Sequence, residues 1–303
     1  MLAIIAPGQG SQTPGMLTNW IQDPVLKKLI ATWSNAIGLD LLHLGTNADA
    51  DEIKDTANAQ PLIVATSLLG AHALAMKNLL FITSGHSVGE LAAAALSGAI
   101  SEIDALRIVR TRGIEMAKAA AASTAGMSAV LGGDRAEVLS AIAALDLVAA
   151  NDNGAGQIVA AGDLESLSQL GENPPAGARV RALAVAGAFH TQFMQPAVEP
   201  LRALTSSIAT QNVLIQVISN KDGQVIKDGT EVLNRIVNQI ANPVRWDLCI
   251  ETMKSMGITG VIELPPAGTL VGLLKRAASE IETFALKSAD DLDAAREFAG
   301  RHA

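Results

Sequence analysis

Short apolar runs alternate along this chain with longer stretches whose apolar residues recur every three to four positions. The runs Leu2–Ala6, Leu79–Thr83, Met127–Leu131, Leu147–Ala150, Ile158–Ala161, Leu214–Ser219, Ile258–Leu264 and Thr283–Leu286 read as strands, as does Arg179–Val185 after the break at Asn173-Pro174-Pro175. Between them the helical period predicts helices over Pro24–Ile37, Ala59–Lys77, Leu91–Leu96, Glu102–Ala121, Asp134–Leu145, Asp163–Leu170, Glu231–Ile240 and Thr269–Ala278. A further helix starts near Pro196, and Asn242-Pro243-Val244-Arg245-Trp246 reads as a turn into another. Ser101-Glu102-Ile103-Asp104 has the form of a capping box, and Asn47–Asp55 reads as an acidic linker. Strands that are apolar throughout belong in a parallel sheet covered by helices on both faces.

From Gly126 the grain changes. The order to Val185 is β-α-β-β-α-β, a ferredoxin-like unit. Residues 124–186 are therefore expected to form a small subdomain inserted into a large α/β one made of 1–123 and 187–303; the alternative is one continuous α/β sheet. Composition agrees with helices packed on buried strands: 49% of the 303 residues are apolar. The net charge of −8 and the lack of a long basic run argue against a nucleic-acid partner. A single cysteine, Cys249, excludes an internal disulfide and any cysteine-based zinc site. The first strand lacks the basic region of a signal peptide, and Leu62–Met76, interrupted by Thr66, Ser67 and His72, is too short to span a bilayer. A cytoplasmic protein without a membrane partner is expected.

Candidate chemistry centres on Gly85-His86-Ser87-Val88-Gly89, which joins a strand to the Leu91–Leu96 helix. In that context a G-x-S-x-G turn presents a nucleophilic serine at the sheet edge; the plainer reading is a glycine-rich turn with a serine cap. The other glycine-rich loop, Pro7-Gly8-Gln9-Gly10-Ser11-Gln12, lacks the third glycine of a dinucleotide site and any Gly-Lys-Ser/Thr, so its backbone N–H groups are better matched to a site at the strand ends. Arg112 shares a helix face with Ala105, Ile108, Val109 and Met116. A guanidinium there needs an anion, either an internal carboxylate or a ligand's. Among five histidines, His86 adjoins Ser87 and should point away, His43 lies in an unassigned segment, His72 is mid-helix and His302 is at a terminus expected to fray. By elimination His190 is the best candidate base, the plainer reading being a solvated loop histidine; as the base it predicts a limb in the pH–rate profile in the ordinary histidine range. A histidine this far from the C-terminus does not fit the chain order of an ordinary esterase or lipase.

With Pro7-Gly8-Gln9-Gly10-Ser11-Gln12, Gln60-Pro61, Gly85–Glu90, Arg112-Gly113, Gly187-Ala188-Phe189-His190 and Asn242-Pro243-Val244 in this order, essentially the whole chain resembles the malonyl-CoA:acyl carrier protein transacylases, the acyltransferase family of fatty-acid and polyketide synthesis. The resemblance implies an α/β-hydrolase-like core with a ferredoxin-like insert, and transfer of malonyl from malonyl-CoA to the phosphopantetheine thiol of acyl carrier protein by ping-pong kinetics, with no cofactor. It implies Ser87 as nucleophile and His190 as base. Gln9 and Val88 would supply the oxyanion-hole N–H groups, and Arg112 would hold the malonyl carboxylate. Phe189 would crowd an α-methyl branch, and Asn151, Asn153 and Gln157 would line the pantetheine path. The family's carbonyl that orients the histidine would fall at Arg245, where Gln is frequent. Pro265-Pro266-Ala267 departs from the family's Gly-Pro-Gly and resembles actinobacterial members. Lys275-Arg276, or Arg179 with Arg181, would meet the acidic carrier protein. No ketosynthase-like or carrier-protein segment flanks the chain, so a discrete enzyme is expected. The other readings are a malonyl transferase subunit of a malonate decarboxylase, a serine thioesterase, or a docking module without activity.

Overall fold

The computed structural model describes residues 1–75 and 80–303. Its order is β1 (Leu2–Ala6), α1 (Pro24–Ile37), α2 (Leu41–Thr46), α3 (Ala50–Lys54), α4 (Thr56–Leu74), β2 (Phe81–Gly85), α5 (Gly89–Leu96), α6 (Glu102–Ala121), β3 (Ala125–Gly132), α7 (Arg135–Ala144), β4 (Val148–Asp152), β5 (Gln157–Asp163), α8 (Leu164–Glu172) and β6 (Ala178–Ala182). There follow a 3-10 turn at Gln192–Ala197, α9 (Val198–Thr205), β7 (Val217–Ile218), β8 (Val225–Ile226), α10 (Gly229–Gln239), β9 (Val244–Arg245), α11 (Trp246–Ser255), β10 (Gly260–Glu263), α12 (Thr269–Ala277), β11 (Glu282–Ala285) and α13 (Leu292–His302).

Two mixed sheets organise the chain. The first has the order β11-β10-β1-β2-β7-β8, parallel throughout except for the β7–β8 pair at its edge. Its central strand shows why such strands carry no polar alternation. Leu2, Ile4 and Ala6 enter the core beneath α4, α5 and α6, while Ala3 and Ile5 enter the core beneath α11 and α12. The second sheet has the order β6-β3-β5-β4-β9. Strands β3 to β6 pair antiparallel, and β9, from far along the chain, joins β4 in parallel through Asn151↔Val244 and Asp152↔Arg245. Val138 and Ile142 of α7 and Leu167 and Leu170 of α8 cover one face of this sheet. Its other face, through Met127, Ala129 and Val159, turns toward a cleft against the first sheet.

Several expectations shift at their edges. The Asn47–Asp55 segment is not a linker: Asp49 caps α3 by accepting from the Asp51 and Glu52 N–H groups. The Leu214–Ser219 strand shrinks to two residues, and Asn242–Trp246 contains β9. The parts of the predicted Ala59–Lys77 helix and Leu79–Thr83 strand at 76–79 lie outside the described residues. His302 does not fray, because it is buried at the end of α13 with Nδ1 2.9 Å from Thr259 Oγ1. The Ser101 hydroxyl does accept from the Asp104 N–H, but the Asp104 carboxylate accepts from that hydroxyl rather than from the Ser101 N–H. Pro265-Pro266 is a cis bond in the loop before α12, and the Pro265 carbonyl accepts from the Ser67 hydroxyl at 2.8 Å. Among the described residues no helix is long and apolar enough to cross a membrane.

Candidate active site

The turn after β2 holds Ser87 at φ 53°, the left-handed region that a side chain adopts at a cost of about 1–3 kcal/mol. Four hydrogen bonds impose it. The His86 N–H donates to the Ala6 carbonyl, Gly89 N–H to His86, Glu90 N–H to Ser87, and the Ser87 N–H to the Asn220 side-chain oxygen at 2.8 Å. The flanking glycines are required by space. A Cβ on Gly85 would run into the Gly89 backbone, and one on Gly89 into the Ala6 carbonyl. The hydroxyl this turn exposes lies 2.7 Å from His190 Nε2.

His190 is itself at φ 62° and buried. Its Nδ1 donates to the Gln239 carbonyl at 2.8 Å, which fixes the tautomer and leaves Nε2 as the acceptor for the serine proton. The orienting carbonyl is therefore not that of Arg245, three residues past Asn242, but that of Gln239, three residues before it. Gln239 ends α10, so its carbonyl is one of the last-turn acceptors without an intrahelical donor. Arg245 is occupied elsewhere, in the pairing of β9 with β4 and with its side chain on Asp247 at 2.7 and 2.9 Å. Burial and then the Arg112 charge push the His190 pKa down to about 3, only partly opposed by the Gln239 bond. The ring is thus neutral over the working range while Arg112 is unpaired, so a limb near the ordinary histidine value is not expected from His190 in the free protein.

Arg112, on the buried face of α6, is 1% exposed and forms no ion pair with any carboxylate among the described residues. Its Nη1 donates to Gln60 Oε1 at 2.7 Å, and its Nη2 reaches Gln239 Oε1 at 3.2 Å and Ser87 Oγ at 3.4 Å. Its Nε has no acceptor among the described residues. Of the two anions that could justify this arginine, the internal carboxylate is not there. Glu90, whose charge opposes the fall of the Arg112 pKa to about 10, is separated from it by the Gln239 side chain, which accepts from Arg112 and donates to Glu90 at 2.6 Å. A buried guanidinium left one amide away from its counter-charge can receive an anion beside the Ser87 hydroxyl.

A cleft of about 250 Å³ opens above these groups. All of Gln9, Asn151, Asn153, Gln157, Phe189, Ser87 and His190 line it, with Leu183, Val185, Leu270 and Leu273. The Gln9 and Val88 N–H groups have no hydrogen-bond partner among the described residues, and the Gln9 side chain is tied to Thr56 and Gln60. Asn153 carries a second duty: its Oδ1 accepts from His86 Nε2 at 2.8 Å and its Nδ2 donates to Gln157, so His86 is turned away from Ser87 as its place in the turn requires. Glu90, Asn220 and Gln239 were missed as site residues. Glu90 stood in the serine motif without a role, and Asn220 follows a strand that ends beside the serine strand. Gln239 carries no sequence signal beyond closing an amphipathic helix.

With this geometry in place, comparison with known proteins is informative. The acyl transferase domain profile matches residues 4–296. The malonyl CoA-acyl carrier protein transacylase of Mycobacterium tuberculosis is 52% identical over 297 residues, covering 97% of this chain and 98% of that protein. Its counterpart in Escherichia coli K12 is 32% identical, with 97% and 98% covered. Among solved structures, MCAT from Mycobacterium tuberculosis superposes with a TM-score of 0.95 at 51% identity, covering 98% of this chain and 99% of that one. A malonyl-transacylase solved with its type II PKS acyl-carrier protein superposes at 0.92 and 30% identity, over 98% and 99% of the two chains. The chain belongs to the acyl transferase family and, within it, to the malonyl CoA-acyl carrier protein transacylases.

Proposed function

We propose that the protein moves a malonyl group from malonyl-CoA to the phosphopantetheine thiol of acyl carrier protein through a malonyl ester on Ser87. The observation that carries this reading is the guanidinium of Arg112, buried and 3.4 Å from Ser87 Oγ. In a malonyl thioester one methylene separates the carboxylate from the reacting carbonyl, so a carboxylate on Arg112 sets that carbonyl against the hydroxyl.

Ser87 Oγ attacks the thioester carbon while its proton passes to His190 Nε2. The Gln9 and Val88 N–H groups receive the oxyanion, each worth about 2.7–4 kcal/mol in such sites. Collapse expels the CoA thiolate, which takes the proton back from His190. The carrier thiol then enters, gives its proton to the same nitrogen and attacks the ester, returning Ser87 to its starting state. Both halves exchange an acyl group between thioester and ester, so no cofactor is called for. Asn151, Asn153 and Gln157 offer polar contacts to the pantetheine amides along the cleft. Exposed Arg179 and Arg181 on β6 and Lys275 and Arg276 on α12 are candidates to receive an acidic carrier.

We also read the second sheet as a ferredoxin-like insert, residues 124–186, in an α/β-hydrolase-like core of 1–123 and 187–303. The order β6-β3-β5-β4, with α7 and α8 on one face, supports that reading.

The test is intact-mass measurement after mixing with malonyl-CoA, followed by peptide mapping. One malonyl group on the peptide containing Ser87, discharged by carrier protein, is expected; absence of an adduct overturns the reaction. A companion expectation concerns Phe189, which lines the cleft just before the base. Phe189→Ala should raise the methylmalonyl-to-malonyl ratio of kcat/KM by about tenfold or more, in line with the discrimination one methyl group provides in a packed pocket. An unchanged ratio removes Phe189 from substrate selection.

A further inference from the structure

The Glu90 carboxylate lies behind the nucleophile turn, fully buried, and touches neither Ser87 nor the cleft. Its Oε1 accepts from the Asn220 N–H at 2.7 Å and its Oε2 from Gln239 Nε2 at 2.6 Å. Those two partners reach Ser87, His190 and Arg112. Asn220 Oδ1 receives the Ser87 N–H at 2.8 Å, and Asn220 Nδ2 donates to the Gly85 carbonyl at 2.7 Å. Gln239 presents its backbone carbonyl to His190 Nδ1 and its side-chain oxygen to Arg112. We propose that Glu90 is a positioning residue whose acceptor-only, ionised carboxylate sets the Gln239 and Asn220 amides and through them aligns the serine, its base and the acyl-binding arginine, so that the activity of the proposed transferase follows the ionisation of Glu90.

Donor and acceptor bookkeeping shows why a carboxylate is needed. Gln239 Nε2 donates to Glu90 and, at 3.1 Å, to Asn220 Oδ1, while its Oε1 accepts from Arg112. A glutamine at 90 would keep one acceptor but aim its own N–H at one of the two donors, the Asn220 N–H or Gln239 Nε2. Turning the Gln239 amide over moves the conflict rather than removing it, because Nε2 then faces the guanidinium and Asn220 Oδ1 loses one of its two donors. Protonating Glu90 has the same effect as the amide, since each oxygen already receives an N–H and a new O–H finds a donor in front of it. Burial pushes the Glu90 pKa up to about 7, opposed by the Asn220 N–H and by the charges of Arg112 and Arg235 and reinforced by Asp222. Cys249, packed on the same side from α11, stays a thiol because burial and Glu90 both raise its pKa. A carboxyl held there ionises in the middle of the working range, whereas His190 does not.

The experiment is the pH dependence of Ser87 malonylation and of steady-state kcat between about pH 5.5 and about pH 8.5, with circular dichroism confirming the fold at each pH. Wild type is expected to lose rate through a midpoint near pH 7 and to level off about tenfold lower, where Glu90 is protonated. E90Q is expected to lose that limb and to run at a plateau about tenfold lower, mostly in kcat rather than KM. A limb that persists unchanged in E90Q overturns the assignment. If E90Q does not fold, E90D keeps a carboxylate on a shorter arm: a displaced midpoint supports the assignment and an unmoved one overturns it. A malonyl-Ser87 adduct formed equally fast across the range overturns the role of Glu90 alone, whereas no adduct at any pH overturns the proposed reaction itself.

Discussion

Alanine at Ser87 or at His190 is expected to reduce malonyl transfer by about 10⁴–10⁶-fold, and the double variant to be no slower than the worse single one. The two side chains act as one unit across a 2.7 Å hydrogen bond. Without Ser87 there is no acyl acceptor, so the base has no proton to take. Without His190 the hydroxyl keeps its proton, and nothing returns one to the leaving thiolate. Rapid-quench measurement with labelled malonyl-CoA reads both half-reactions. His190→Ala should slow acylation and transfer to the carrier alike, since Nε2 handles the proton in each. A loss confined to one half, or below about tenfold in both, would remove His190 as the shared base.

Arg112→Ala is expected to cost malonyl transfer about 10²–10³-fold in kcat/KM while acetyl transfer changes by less than about tenfold. Two effects with opposite signs separate the substrates. The malonyl carboxylate loses the guanidinium beside Ser87 Oγ. At the same time His190 is relieved of the charge that, after burial, most depresses its pKa. In wild type a malonyl carboxylate neutralises that charge on arrival and so restores basicity to the imidazole. An acetyl group brings no charge and leaves the imidazolium facing Arg112. Removing Arg112 gives the acetyl reaction the same relief, so its His190 titrates closer to the ordinary histidine range and its rate acquires a limb at higher pH. Part of any general loss comes from Gln60 and Gln239, each left without its donor at about 1–3 kcal/mol. Equal losses for the two acyl groups would make Arg112 structural.

The parts of the site that could be read in the sequence are those whose chemistry is local. Gly85, Ser87 and Gly89 form a turn within five residues, and the two glycines follow from backbone sterics alone. Arg112 declared itself through helical periodicity as a charge on an apolar face. His190 came by elimination, and its neutrality stayed hidden because it depends on burial and on Arg112, both long-range. The same holds for Asn220 and Gln239, which are polar residues in unremarkable contexts until the fold carries them behind a turn more than a hundred residues earlier. Elements followed the same division. The bounds of α1 and α6 were legible in the sequence, whereas β3 extends to Ala125–Gly132 beyond its apolar run and α4 starts at Thr56 rather than Ala59. The two-residue strands β7, β8 and β9 were not legible, because strands that short are defined by their partners rather than by any pattern of their own.

One of those short strands ties the cleft to the chemistry. Through β9, residues 244–245 hold β4, whose Asn151 and following turn form one wall of the cleft. The same segment begins at Gln239, the residue whose carbonyl fixes the base. Rotating the second sheet outward to admit a bulkier acyl chain therefore pulls on a tether five residues from the carbonyl that steers His190. The spacing links the width of the cleft to the alignment of His190, so variants that loosen β4 from β9 are expected to lower kcat for malonyl and bulkier thioesters alike.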